Sequence, residues 1–222
     1  MILGTVFLTF TVQHDDADTG LAGQSINFSS VYLFKDYSAK QFEGGLMVPF
    51  TNPTSRSLVI SYLHLQIGDP VVADALIVAA ERYKMDPALV VAVAWQESRF
   101  QVNAHGINHN KSVDRGLMQL NSSTFRNLSA DDFFNPYVNA DYGTSYLRKT
   151  LNTSGNIVTA LAMYNAGPGR VDSLGAPVST LNYIDRIITY KNDLVRGYYQ
   201  FSGTGSVLIT SDFKPVKNPN HL

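Results

Sequence analysis

A single acid, Glu97, lies near the end of an apolar run in the segment LVVAVAWQESRF. Asp86 and the proline after it are typical of a helix start, so the run predicts a helix with Glu97 in or near its last turn. The negative end of the helix dipole and the apolar neighbours both raise the pKa of a carboxyl group placed there. A carboxyl group that stays protonated at neutral pH can act as a general acid. Alternatively, Glu97 reaches solvent or pairs with Arg99 or Arg115.

Four later segments combine polar and aromatic residues with glycines or prolines. They are DRGLMQL at 114–120, FFNPYVNADYGTSYL at 133–147, ALAMYNAGPGRV at 160–171 and STLNYIDRI at 179–187. Together with AVAWQESRF, this ordered set resembles the motif series of the soluble lytic transglycosylase family, which is similar in fold to goose-type lysozyme. The resemblance extends from about Pro70 to Arg196.

The resemblance implies a peptidoglycan-degrading enzyme that acts on glycan strands. It would cleave the bond between N-acetylmuramic acid (MurNAc) and N-acetylglucosamine (GlcNAc), with Glu97 as the only catalytic carboxylate and a 1,6-anhydro sugar as product. A solitary acid is sufficient when the substrate's own N-acetyl group assists. We expect no cofactor and no metal ion.

The resemblance also implies a set of substrate-binding residues near Glu97. Gln119 would place an amide near the cleaved sugar, and Tyr183 would hydrogen-bond the catalytic carboxyl group or the substrate's acetamido group. For Met118 and Tyr164, a role in the cleft and a role in the core both stay open. The expected set is Ser98, Ser112, Met118, Gln119, Tyr164, Asn165, Gly167 and Tyr183.

The segment QVNAHGINHNKSVDRG is longer than the corresponding loop of the family and leaves alternatives open. Asp114 is a possible second acid that would position a water molecule, giving a hydrolytic muramidase. His105 and His109 have the spacing of a zinc pair, which raises a metal-dependent endopeptidase, although the glycine and asparagine between them disfavour a helix. A non-catalytic peptidoglycan-binding protein on the same fold is the third alternative.

The hydrophobic pattern predicts an α+β fold, mainly α, with a lysozyme-like helical domain over residues 70–200. Residues 1–69, including SLVISYLHLQI, are rich in β-branched and aromatic residues and predict a β or extended segment that packs on the main domain. Residues 201–222 predict a strand-like tail. Beyond the helices that begin after Asp69 and Asp86, we expect helices over 122–128, 136–151, 156–165 and 180–196.

Composition excludes several classes of protein. The chain has 222 residues, a formal net charge of −1 and no cysteine, so disulfides are excluded and nothing indicates binding to nucleic acid. We expect no transmembrane segment and find no convincing signal peptide. The length and the tail GSVLITSDFKPVKNPNHL resemble the murein-degrading lytic proteins of cystoviruses. This resemblance implies a virion-associated enzyme that acts in the host periplasm at entry and lysis, with a virion or capsid-surface partner.

Overall fold

The computed structural model describes residues 45–108 and 111–203. The described part is mainly helical, with one small sheet between the fourth and fifth helices. The helices are α1 Met47–Thr51, α2 Pro53–Ile67, α3 Pro70–Arg82, α4 Pro87–Ser98, α5 Ala130–Phe134, α6 Pro136–Ser154, α7 Ile157–Ala166, α8 Pro168–Leu174 and α9 Val178–Gly203. The strands β1 His105–Ile107, β2 Val113–Arg115 and β3 Leu120–Asn121 form an antiparallel sheet in that order. The expected α+β, mainly α, fold class is confirmed.

Helix α4 is the centre of the core. Every residue from Pro87 to Ala94 is buried, which explains why its sequence is apolar on all sides rather than on one face. Asp86 accepts a hydrogen bond from the backbone N–H of Ala88, so the expected N-terminal cap is confirmed. Helices α3 and α9 pack against α4, and α6 packs against α3 and α7.

The strand prediction for SLVISYLHLQI is wrong, because this segment belongs to helix α2. Its buried residues are Val59, Tyr62, Leu63 and Gln66, which is the i, i+3, i+4, i+7 spacing of one helical face. Asn52 caps the start, and Gly68 in a left-handed conformation ends the helix. Burial in the shared core overrides the β propensity of the segment. The expected strands before residue 45 lie outside the described residues.

Two other boundaries also differ from the sequence prediction. Residues 122–128 form turns rather than a helix, and the backbone N–H of Ser123 donates to the Asn121 side chain, a local bond that competes with helix formation. Helix α9 continues past Arg196 to Gly203, with Tyr198 buried, so the strand-like prediction is wrong for residues 201–203. Residues 204–222 lie outside the described part.

The expected helices at 136–151 and 156–165 are confirmed, with α6 ending three residues later and α7 shifted by one residue. Asn135 and Asn156 cap them with their side chains. Among the helices described, none has both the length and the apolar character needed to cross a bilayer.

Candidate active site

Glu97 lies in the last turn of α4, as the sequence predicts, and faces a cleft of about 640 Å³. The helix ends because Arg99 adopts a left-handed conformation with φ 56°. One side of the cleft is formed by the small sheet and the turns after it, and the other by the end of α7 and the start of α8. Its lining includes Glu97, Asn108, Ser112, Asp114, Gln119, Asn121, Phe125, Tyr146, Tyr164, Asn165, Gly167 and Arg170.

The Tyr183 hydroxyl donates a hydrogen bond of 2.6 Å to Oε1 of Glu97. This contact joins α4 to α9 and brings the two side chains together. The pKa of Glu97 is raised to about 8: burial raises it, the hydrogen bond from Tyr183 lowers it by less, and the negative charge of Asp114 adds a smaller upward shift. Glu97 therefore holds its proton at neutral pH.

Neither arginine suggested as a structural partner pairs with Glu97. The Arg99 guanidinium lies 3.5 Å from the centre of the Trp95 ring, and the Arg115 guanidinium lies 5.2 Å from the centre of the Phe133 ring. None of the ion pairs in the described part of the chain includes Glu97. The structural alternative therefore receives no support from an ion pair.

Asp114 lies in the same cleft and is held by two amides. Asn108 Nδ2 donates to one carboxylate oxygen and Asn121 Nδ2 to the other, both at 2.8 Å. The same two amides donate to the Ser112 hydroxyl at 3.2 and 2.8 Å. This network fixes the Asp114 carboxylate on the sheet side of the cleft, with its charge felt at Glu97.

Gln119 and Tyr164 line the cleft, and hydrogen bonds to backbone carbonyls hold the polar ends of both side chains. Gln119 has φ 48°, and its amide nitrogen donates to the carbonyls of Ala104 and Gly116, which leaves its carbonyl oxygen without a protein donor in the hydrogen bonds described. The Tyr164 hydroxyl donates to the Met118 carbonyl at 3.0 Å. Burial raises the pKa of the Tyr164 and Tyr183 hydroxyls well above their usual range, so both remain neutral donors.

Asn165 and Gly167 lie on the opposite side of the cleft from Asp114. Asn165 Oδ1 accepts a hydrogen bond of 2.7 Å from the Thr180 hydroxyl, so its amide nitrogen is oriented by α9. Gly167 has φ 84°, a conformation that favours glycine, at the junction of α7 and α8. The sharp turn there exposes backbone to the cleft.

Two expected substrate contacts are corrected. The Met118 side chain is fully buried, with its sulfur near the Thr144 hydroxyl, so it supports the cleft from beneath instead of forming its wall. The buried Ser98 hydroxyl donates to the carbonyls of Ala94 and Leu117 and ties the end of α4 to the loop beside it. Both residues act through packing and backbone position.

An aromatic wall was missed by the sequence analysis. Phe125 and Tyr146 line the cleft with their ring centres 5.7 Å apart, and Tyr146 lies 5.5 Å from Tyr164. Aromatic faces of this kind suit the C–H faces of sugar rings. Phe125 falls in the segment that was expected to be a helix, so its orientation towards the cleft had no sequence signal.

His105 starts β1 and is exposed, with Nδ1 3.3 Å from the Asn103 carbonyl oxygen. His109 lies outside the described residues. Within residues 45–108 and 111–203, no three His, Asp or Glu side chains come together as metal ligands would. The rival peptidase therefore gains no support from the described part of the loop.

Comparison with known proteins identifies the family of this chain. A model of the transglycosylase SLT domain matches residues 74–185. The chain is 37% identical over 156 residues to an X polypeptide of Escherichia coli, covering 68% of this chain and 87% of that protein. It is 32% identical over 108 residues to the invasion protein IagB of Salmonella typhimurium, covering 45% and 68%. A solved structure of an inactive mutant of the lytic transglycosylase Slt from Pseudomonas aeruginosa superposes with TM-score 0.48 and 24% identity, covering 59% of this chain and 24% of that chain.

Proposed function

Because the chain belongs to the transglycosylase SLT domain family and is a murein-cleaving enzyme, we propose that Glu97 is its single catalytic carboxyl group and that it releases 1,6-anhydromuramic ends. The observation that carries this proposal is a protonated acid in a polar cleft, held by Tyr183 at 2.6 Å. General acids need a pKa near the working pH, and about 8 satisfies that requirement.

In the first step, Glu97 donates its proton to the glycosidic oxygen that joins MurNAc C1 to GlcNAc. Tyr183 occupies Oε1, so the proton resides on Oε2, the oxygen that Tyr183 leaves available. The bond from C1 to the glycosidic oxygen breaks, and GlcNAc leaves with a new hydroxyl group. The carbonyl oxygen of the MurNAc N-acetyl group supplies electrons to C1. This oxygen takes the place of a second protein carboxylate.

In the second step, the ionised Glu97 accepts the proton of the MurNAc C6 hydroxyl group. The C6 oxygen then forms a bond to C1, and the N-acetyl group is released. The carboxyl group returns to its protonated state, and no water is consumed. The neutral Tyr183 hydroxyl stabilises the Glu97 carboxylate between the two steps by donating to it.

The surrounding cleft would hold the sugar rings in register with Glu97. Gln119 Oε1 and the Asn165 amide nitrogen offer an acceptor and a donor on different sides. Phe125 and Tyr146 offer apolar faces for a ring. Ser112 contributes through the amide network around Asp114. These contacts position the reacting bond.

Mass spectrometry of the fragments released from purified Gram-negative peptidoglycan tests the proposal. Wild type should release fragments ending in 1,6-anhydromuramic acid, one water lighter than the hydrolysed form. Glu97→Gln should release none and keep its fold. The matched control is Glu81→Gln. Glu81 is an exposed acid on α3 that pairs with Arg56 on α2 and does not line the cleft. Anhydro products from Glu97→Gln would overturn the assignment of the acid.

The second candidate is a hydrolytic muramidase, and the observation that favours it is Asp114 in the same cleft. Its carboxylate, held by two amides, could orient a water molecule towards C1. Reducing muramic ends from wild type, lost in Asp114→Asn, would establish this reaction. Intact glycan strands with newly freed peptide amines would establish the endopeptidase instead.

For the biological setting, we propose a bacteriophage enzyme that is carried in the virion, acts on the host wall in the periplasm and helps at lysis. Its support is the resemblance of the tail to cystoviral lytic proteins. The bacterial relatives support the rival, an enzyme that acts on the wall of its own cell. Proteomic detection of the chain in purified virions, with its capsid-surface partner found by cross-linking, tests the phage assignment. Detection of the chain in uninfected bacterial cells, with none in purified virions, would overturn the phage assignment.

A further inference from the structure

Arg170 is the one basic side chain among the described residues that line the cleft. It is the third residue of α8 and is exposed. No ion pair in residues 45–108 and 111–203 includes it. The acidic side chains among the described lining residues are Glu97, which holds its proton at neutral pH, and Asp114, and the other polar groups described there are amides and hydroxyls. Arg170 therefore places a positive charge, with no ion-pair partner among the described residues, at the α8 end of the cleft.

The space beside Arg170 is open. A Cβ atom placed on Gly167 or on Gly169 would meet no atom within 4 Å apart from its chain neighbours and the backbone of its own helix. Gly167 and Gly169 flank Pro168, so no side chain other than the proline ring covers the backbone that leads to Arg170. Arg170 is itself exposed and lines the cleft, so a group bound in the cleft can reach its guanidinium.

The peptidoglycan substrate has its negative charges in one place. The sugar rings of the glycan are neutral, whereas the stem peptide on the MurNAc lactyl group ends in a carboxylate and carries others along its length. An arginine binds a carboxylate through two parallel N–H donors, which fixes direction as well as position. The Asp114 carboxylate on the sheet side of the cleft repels the same carboxylates, whereas Arg170 at the α8 end attracts them.

We propose that Arg170 binds a carboxylate of the stem peptide and thereby orients MurNAc with its C1 towards Glu97. This inference rests on the proposed function, because it assigns a recognition role within the same cleft. Arg170 is accordingly a specificity residue that selects glycan carrying peptide stems over bare glycan. It transfers no proton and touches no reacting atom.

Three substrates of equal glycan length test the inference. The first carries free-acid stems, the second carries the same stems with their carboxylates converted to amides, and the third carries no stems. For wild type, kcat/KM should be highest on the first substrate. Arg170→Gln should lower kcat/KM on it about tenfold and bring the ratio between the first and second substrates close to one. Lys149→Gln is the matched control, since it removes an exposed positive charge on α6 outside the cleft and should leave that ratio unchanged.

Arg170→Lys keeps the charge but loses the paired donors, so its ratio should fall between wild type and Arg170→Gln. This variant also decides the question if Arg170→Gln does not fold. An equal loss on all three substrates would overturn the inference, because it would mean a structural effect. Equal rates of wild type on free-acid and amidated stems would overturn it as well. Failure of the proposed function is a separate result, in which wild type cleaves none of the three glycans.

Discussion

Replacing Glu97 by glutamine should stabilise the protein at neutral and alkaline pH while abolishing its activity. The pKa of Glu97 is raised to about 8 in the folded protein from 4.5 for an ordinary glutamate. The glutamine carbonyl can still accept the hydrogen bond from Tyr183, so the substitution removes the titrating proton with little change in shape. The variant therefore isolates the free energy of keeping this acid in its place.

The sign and size follow from proton linkage. Between pH 4.5 and pH 8, the folded protein holds a proton on Glu97 that the unfolded chain has released. The free energy of unfolding of wild type therefore falls by up to about 1.4 kcal/mol for each pH unit in this window, relative to Glu97→Gln. Over the window from pH 4.5 to pH 8 this amounts to at most about 5 kcal/mol, and the partial exposure of Glu97 reduces the difference to roughly 3–4 kcal/mol at pH 8. Below pH 4.5 both states are protonated and the penalty disappears.

Chemical denaturation of both proteins at several pH values between 4 and 9 measures this difference. The gain in melting temperature at pH 8 should be about 10 °C for a chain of this size. Glu81→Gln, which changes an exposed acid, should stay within about 1 kcal/mol of wild type over the whole range. A stability difference between Glu97→Gln and wild type that does not grow from pH 4.5 to pH 8 would refute the raised pKa, and with it the reason for choosing Glu97 as the acid.

Three further substitutions extend the test. Tyr183→Phe removes the hydrogen bond that lowers the pKa of Glu97, so the alkaline limb of the pH profile of kcat/KM should move to higher pH and activity should fall about tenfold; an unchanged limb would contradict the contact. Asp114→Asn removes a charge that raises this pKa, so the limb should move to lower pH while the products keep their anhydro ends; loss of all products would favour the muramidase. Gly116→Ala should lower the free energy of unfolding by more than about 3 kcal/mol, because the new Cβ would lie 2.0 Å from a backbone carbonyl oxygen and 2.3 Å from a buried amide. The control Gly68→Ala has a similar φ but open space, so it should lower this free energy by only about 1 kcal/mol. Thermal unfolding of both variants measures the difference.

The sequence was informative where the signals are local. Helix α4 could be predicted because Asp86 caps it, a proline follows and the residues after it are apolar, and these signals alone place Glu97 in the last turn. The contact with Tyr183 was expected only through resemblance to the family, since the two residues are 86 positions apart in the chain. Local signals therefore gave the place of the acid, and the resemblance gave its partner.

The sequence was uninformative where position depends on distant contacts. The strands have two or three residues each, too few to show an alternating pattern, so the sheet that presents Asp114 was expected to be a loop. Phe125 faces the cleft because residues 122–128 form turns, and the Asn121 side chain competes locally with the helix expected there. The β-branched residues of α2 favour strands locally, and the contacts with the core that make the segment helical are not visible in its own sequence.

Helix α4, which holds the proposed acid, contacts α9, which holds its tyrosine partner, at both of its ends. At the start of α4, the partly buried Asp86 lies 3.6 Å from the buried Lys191 on α9, and at the end of α4 Glu97 accepts a hydrogen bond from Tyr183 on α9. The two contacts are 11 residues apart on α4, about 16 Å along its axis. Because the residues between them are packed into the core, neither helix can slide without breaking both contacts. The far ion pair thus fixes the register that brings the Tyr183 hydroxyl to the acid, and the rigid core can hold a carboxyl group in a place that lowers stability.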